Sequence, residues 1–141
     1  MKTISLKIGL VCAALLAGAL RAVALDGAVL IAHEGVPVSS ISPAALKDIY
    51  NGKTMYWEGG QNVVIVVLPD KTDPALKEVS GMDASQFKTF WQRLMFSGRG
   101  QQPKKADDTE SLVAVVAATK GAIALAPADA VLKGVKKIDI K

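Results

Sequence analysis

An uninterrupted apolar run at residues 63–68, VVIVVL, constrains the fold of this chain more than any other feature. Almost all of its side chains are β-branched, and no polar residue alternates with them. A strand with this pattern is covered by other elements on both of its faces. The run therefore predicts a buried central strand.

Helical patterns alternate with strand-like runs along the rest of the chain. Ser42-Pro43 predicts the start of a helix, with a hydroxyl N-cap followed by a proline. Leu46, Ile49 and Tyr50 lie on one face of this helix, and Asn51-Gly52 ends it. Helical patterns predict three more helices, at residues 72–81, 83–96 and 109–119. Short strand-like runs predict three more strands, at residues 28–32, 122–125 and 135–140. This alternation predicts a single layered α/β domain.

Two further segments have clear interpretations. In the helix predicted at residues 83–96, the apolar side chains recur at helical spacing, which is more typical of a core-facing stripe than of an aromatic ligand platform; they are Phe87, Phe90, Trp91, Leu94 and Met95. Residues 97–108 contain two glycines, a proline and many polar residues, and they predict an irregular connection.

The N-terminal 24 residues have the pattern of a cleavable signal peptide. A basic start precedes a short apolar run, and Ala22-Val23-Ala24 has the small-x-small pattern of a signal-peptidase site. The apolar run is shorter than the ~20 residues that a membrane-spanning helix needs. We therefore predict cleavage after Ala24, export to the periplasm and one domain formed by residues 25–141.

Removal of this leader changes the charge of the chain. The full sequence has 17 basic and 13 acidic residues, and three of the basic ones lie in the leader. The remainder is nearly neutral, so it has no basic field for a nucleic acid. The single cysteine, Cys12, also lies in the leader, and the exported chain is predicted to have no disulfide.

Catalytic and metal sites are not predicted. His33 is the only histidine and lacks a second histidine or a cysteine to share a metal, so we interpret it as a polar residue at a strand end. No nucleophile elbow, phosphate-binding loop or dinucleotide glycine pattern is present. Asp107-Asp108 precede a predicted helix, where a carboxylate acts as a cap. We predict a non-enzyme without cofactor or metal.

The loop that follows the central strand is the candidate ligand site. It feeds a helix N-terminus, where unpaired backbone N–H groups and the helix dipole favour anions. Lys71 adds a positive charge and Thr72 a hydroxyl, and Pro74 lies at the start of the helix. Lys71, Thr72 and Asp73 are therefore the candidate ligand-binding residues, although Thr72 and Asp73 also suit a purely structural capping role.

The segment at residues 41–67 joins a helix, a Gly-Lys turn, Tyr56-Trp57, a Gly-Gly turn and the central strand. This order resembles a segment of the periplasmic phosphate-binding proteins of ABC transporters. The sequence KGAIA at residues 120–124 is similar to another strand start in that family, so the resemblance extends over about residues 29–127. It implies a small single-lobe member, similar to one lobe of a type II periplasmic binding protein, with inorganic phosphate or a related oxyanion as ligand.

Two functions stay open. In the family the equivalent strand is followed by an arginine and a Ser-Gly-Thr turn, whereas this chain has Leu68 and then Thr72-Asp73-Pro74. One hypothesis is a periplasmic solute-binding protein that takes phosphate or a related oxyanion and works with an envelope transporter. The other is a non-catalytic interaction or sensory module of the cell envelope that has lost ligand binding. The sequence leaves the oligomeric state and the membrane partner open.

Overall fold

One mixed sheet organises the fold. The computed structural model describes residue 25 and residues 27–141, and the predicted signal peptide lies outside the described residues. The strands of the sheet are β1 Ala28–His33, β2 Ser40–Ile41, β3 Val64–Val67, β4 Lys104–Lys105, β5 Ala122–Pro127 and β6 Val135–Ile140. They occur in the order β2-β6-β1-β5-β3-β4, with β3 parallel to both β4 and β5 and with β1 antiparallel to both β5 and β6.

The helices begin where their capping residues predict. They are α1 Pro43–Tyr50, α2 Asp73–Ser80, α3 Ala84–Phe96 and α4 Thr109–Ala118. The Ser42 hydroxyl caps α1, and Asp83 forms a capping box with Gln86 at α3. Asp108 caps α4 by accepting from the Ser111 N–H at 2.7 Å, and this bond holds the pKa of the Asp108 carboxyl below its ordinary value. None of the helices in the described part of the chain is long and apolar enough to cross a membrane.

The sheet is the middle layer of three, which confirms the predicted α/β class. On one face, Ile65 and Ile123 pack with the buried side chains of α1, α2 and α3. On the other face, Val66 packs with Leu112 and its neighbours on α4. Ile65 is 4% exposed and Val66 is 1% exposed, so the prediction of a strand covered on both faces is confirmed.

Residues 97–108, predicted as an irregular connection, are irregular except for one short strand that the sequence did not predict. They contain β4, in which Lys104 pairs with Val66 and Lys105 pairs with Val67. The Ala106 N–H also donates to the Val67 carbonyl at 2.9 Å. Two lysines carry no apolar strand pattern, and this strand forms because the backbone of β3 has an open edge. Lysine on an edge strand also hinders pairing with other chains.

The predicted core stripe of α3 is confirmed for four of its five residues. Phe87 and Trp91 are buried, and Phe90 and Leu94 are partly buried against the same core cluster. Met95 was also predicted to face the core, but 37% of it is exposed. The core interpretation therefore holds for Phe87, Phe90, Trp91 and Leu94 and fails for Met95.

Candidate functional site

A cavity of about 390 Å³ lies where the chain leaves β3. The parallel strands β3 and β4 end at this edge, and ligands of open α/β sheets bind outside the carboxyl ends of the strands. The end of β3 and the following loop provide one wall, α2 and α3 provide two more, and residues 102–105 close the outer side. The predicted loop thus borders a concave site.

Most of the cavity wall is apolar. The side chains that form it include Val67, Leu68, Leu76, Phe87 and Trp91. Besides Tyr50, the polar side chains in the lining are Thr72, Asp73, Ser85, Lys88, Gln102 and Lys105. The lining therefore contains two lysines and one aspartate, and its formal charge is positive.

The structure places two of the three predicted site residues in this lining. Thr72 and Asp73 border the cavity, whereas Lys71 is exposed and does not. The Thr72 hydroxyl donates to the Leu68 carbonyl at 3.1 Å, so its proton is already engaged within the loop. The Asp73 carboxylate accepts from the Asp70 N–H at 3.2 Å, which closes the turn.

The predicted side-chain cap by Thr72 is wrong in detail. Thr72 does occupy the N-cap position of α2, and Pro74 lies in the first turn as predicted. Its side chain, however, makes no capping hydrogen bond, because the buried hydroxyl turns back to Leu68. The loop is therefore held by Thr72 and Asp73 through bonds that do not use the first N–H groups of the helix.

Tyr50 contributes an unusual group to the lining. The side chain is 1% exposed, and its hydroxyl is a buried polar atom without a hydrogen-bond partner among the described residues. Burial raises the pKa of this phenol well above its ordinary value, so the group stays protonated. The Tyr50 carbonyl accepts from the Trp91 indole N–H at 3.1 Å, which fixes the end of α1 against α3.

Lys88 and Lys105 are the charged lining residues that the sequence interpretation missed. Lys88 follows Ser85 by three positions and Ala84 by four, so a helical projection places these three side chains on one face. Lys105 is the second residue of β4 and directly precedes the buried Ala106. The helical spacing was a usable signal for Lys88, whereas Lys105 reaches the cavity only through the pairing of β4 with β3.

The two other polar features considered from the sequence have structural roles. The Nδ1 atom of His33 accepts from the Gly35 N–H at 2.9 Å, so the interpretation as a polar strand-end residue is confirmed. Within the described ranges, no group of three or more histidine, cysteine, aspartate or glutamate side chains is placed to hold a metal ion. Asp108 caps α4, as predicted.

The chain resembles known proteins in its structure rather than in its sequence. No protein-family model and no curated protein sequence matches the chain. A protein assigned as a phosphate ABC transporter substrate-binding protein with bound phosphate, from Clostridium perfringens, is similar with a TM-score of 0.61 and 23% identity. The match covers 80% of this chain and 44% of that one.

Two further solved structures resemble the chain in the same way. An ABC-type phosphate transport receptor from Vibrio cholerae has a TM-score of 0.54 and 18% identity, covering 80% of this chain and 45% of the receptor. PstS from Borrelia burgdorferi has a TM-score of 0.55 and 10% identity, covering 82% of this chain and 47% of PstS. The likeness is one of fold. The chain spans less than half the length of each of these three proteins.

Proposed function

We propose that this chain is an exported, non-catalytic solute-binding module that takes a small anion at the carboxyl end of β3. The observation that carries the proposal is the concave site at this edge, in which Lys88 and Lys105 outnumber the one carboxylate, Asp73. The module is proposed to work in the periplasm after cleavage behind Ala24. An envelope transporter or sensor protein is its proposed membrane partner, and phosphate or a related oxyanion its proposed ligand.

Several groups at this edge favour a negative charge. Lys88 and Lys105 are attached to different elements, so their ammonium groups can approach an anion from two sides. The N-terminus of α2 adds the positive end of its dipole. Thr72 and Asp73, which border the cavity, are proposed to contact the ligand from the loop, and the exposed Lys71, which is not part of the lining, is proposed as a third cation that reaches it. Pro74 removes one N–H donor from the same turn.

The affinity is expected to be modest and sensitive to salt. Lys71, Lys88 and Lys105 are all exposed, so water and ions screen their charges. At physiological ionic strength, charges are largely screened beyond about 8 Å. Binding of phosphate should therefore weaken as sodium chloride is added.

Removal of either cavity lysine should weaken anion binding. Lys88→Ala and Lys105→Ala are each expected to raise the Kd for phosphate about 2- to 5-fold, the range typical of exposed ion pairs. Isothermal titration calorimetry and thermal shift, with phosphate, sulfate and acetate, provide the measurement. Lys71→Ala, assayed in parallel, reports whether the loop lysine contributes as well.

Lys137→Ala provides the matched control. Lys137 is exposed on β6, three strands away from β3 in the sheet, which is roughly 14 Å at the usual strand spacing. This variant should bind phosphate as the parent protein does. The absence of both heat and thermal shift with all three anions at millimolar concentration would contradict the proposal.

A second candidate function is an interaction or sensory module of the envelope that binds no solute. Leu68, which stands where the resembled family has an arginine, is 2% exposed and packs in the core cluster that includes α4. The Thr72 hydroxyl is also engaged by Leu68. This alternative predicts a folded protein on which none of the three anions has any effect.

A further inference from the structure

The cavity beside β3 is larger than an inorganic oxyanion requires. Its volume of about 390 Å³ lies within the roughly 300–1,000 Å³ of ordinary small-molecule sites, which are mainly apolar with a few polar groups. A phosphate ion needs donors around all of its oxygens. The side chains of Leu76 and Phe87 offer no hydrogen-bond donor to the cavity. The indole N–H of Trp91 is a donor, but it is already bonded to the Tyr50 carbonyl.

The buried hydroxyl of Tyr50 is a second, independent observation. Buried polar groups in folded proteins nearly always have a hydrogen-bond partner, and one without a partner calls for an explanation such as an absent ligand. Tyr50 lines this same cavity, and its hydroxyl has no partner in the described part of the chain. Because the phenol stays protonated, it can both donate and accept a hydrogen bond.

The charged and apolar parts of the lining are separate. Lys88 and Lys105 are exposed residues of α3 and β4, whereas Tyr50, Phe87 and Trp91 are buried. A lysine side chain keeps its ammonium group in water while its stem lies along apolar surface. The lining thus has exposed, positively charged lysines and buried aromatic side chains, and Tyr50, whose hydroxyl is itself buried, is one of the latter.

We propose that this cavity takes an organic anion with an apolar ring or short alkyl body. The anionic group lies with Lys88 and Lys105, the body packs against Phe87 and Trp91, and a polar substituent on the body bonds to the Tyr50 hydroxyl. This assignment rests on the proposed solute-binding function and narrows its ligand class from a simple oxyanion to an amphipathic one.

Four probes test the assignment on the purified protein by calorimetry. They are inorganic phosphate, phenylphosphonate, 4-hydroxyphenylphosphonate and the uncharged benzyl alcohol. Phenylphosphonate is expected to bind at least ~10-fold more tightly than inorganic phosphate, because its ring leaves water. Benzyl alcohol is expected to bind at least several-fold more weakly than phenylphosphonate, since it cannot use the lysines.

The outcomes separate this inference from the proposed function. If inorganic phosphate binds as tightly as phenylphosphonate, the inference is overturned and the anion-binding function stands. If benzyl alcohol binds as tightly as phenylphosphonate while phosphate does not bind, the anion-binding function fails. If none of the four binds to the folded protein, both are overturned.

Tyr50→Phe tests the role of the buried hydroxyl. It should raise the unfolding midpoint of the free protein by a few degrees, because it removes an unpaired buried polar atom. It should also lower the affinity for 4-hydroxyphenylphosphonate several-fold and leave that for phenylphosphonate unchanged. Tyr56→Phe, at a tyrosine that is 61% exposed, is the matched control and should change neither quantity. Equal affinities of the parent protein for the two phosphonates would refute the assignment of Tyr50.

Discussion

Gly121→Ala is expected to destabilise the protein by about 4 kcal/mol or more, a large fraction of the ~5–15 kcal/mol that holds a domain folded. Gly121 has a φ of +78°, which side-chain-bearing residues rarely adopt. An added Cβ would also lie 2.0 Å from the backbone carbonyl oxygen of Asn62. The Gly121 carbonyl itself accepts from the Val64 N–H and from the Trp57 indole N–H, so a shift here would disturb the start of β3.

Gly81→Ala separates the two causes of this loss. Gly81 has nearly the same backbone angle, a φ of +76°, but an added Cβ would meet no atom within 4 Å. This control should lower the free energy of unfolding by only about 1 kcal/mol, because the left-handed backbone is its single unfavourable feature. Urea denaturation of both variants measures the difference. Equal losses of unfolding free energy in the two variants would contradict a steric clash between the added Cβ at position 121 and the Asn62 carbonyl.

Trp91→Ala is the second variant for which we expect a large effect, a loss of about 3–5 kcal/mol in the free energy of unfolding. Trp91 is 6% exposed, and its ring lies 6.1 Å from that of Phe87 between ring centroids. Its indole N–H donates to the Tyr50 carbonyl, which joins α3 to α1. Trp91 also lines both the candidate site and a second cavity of about 430 Å³, so its removal enlarges the space around the site.

Trp91→Phe distinguishes packing from hydrogen bonding at this position. The phenyl ring fills part of the space but cannot donate to Tyr50, so we expect an intermediate loss. Urea denaturation again provides the free energies, with near-ultraviolet circular dichroism as a check on the packing of the remaining aromatic side chains. A loss of unfolding free energy below about 1 kcal/mol for Trp91→Ala would contradict the burial of the Trp91 side chain in the core.

Local signals were enough to predict most of the architecture. The capping residues Ser42, Asp83 and Asp108 mark their helices from within a few positions of sequence. The run at residues 63–68 predicted a strand covered on both faces because burial on both faces requires apolar side chains throughout. These features depend on neighbours in the sequence, and the structure confirms them.

The remaining features depend on partners that are distant in the sequence. Lys105 reaches the cavity because β4 pairs with β3, and a two-residue lysine strand has no pattern of its own. The sequence placed Tyr50 on one face of α1 with Leu46 and Ile49, but that its hydroxyl lacks a partner among the described residues is evident only in the packed structure. Thr72 has the sequence of a cap, but burial directs its hydroxyl to Leu68. The candidate site was therefore predicted only in its location, beside the loop after β3.

The most direct test of the account is to locate a bound anion by nuclear magnetic resonance. Amide resonances of the uniformly labelled protein are followed while inorganic phosphate is added to millimolar concentration. A site at the carboxyl end of β3 predicts saturable shifts for the amides of residues 68, 70–73, 88 and 105, with the amides of β6 unchanged. Saturable shifts confined to β6 or to the surroundings of His33 would contradict a site at the carboxyl end of β3.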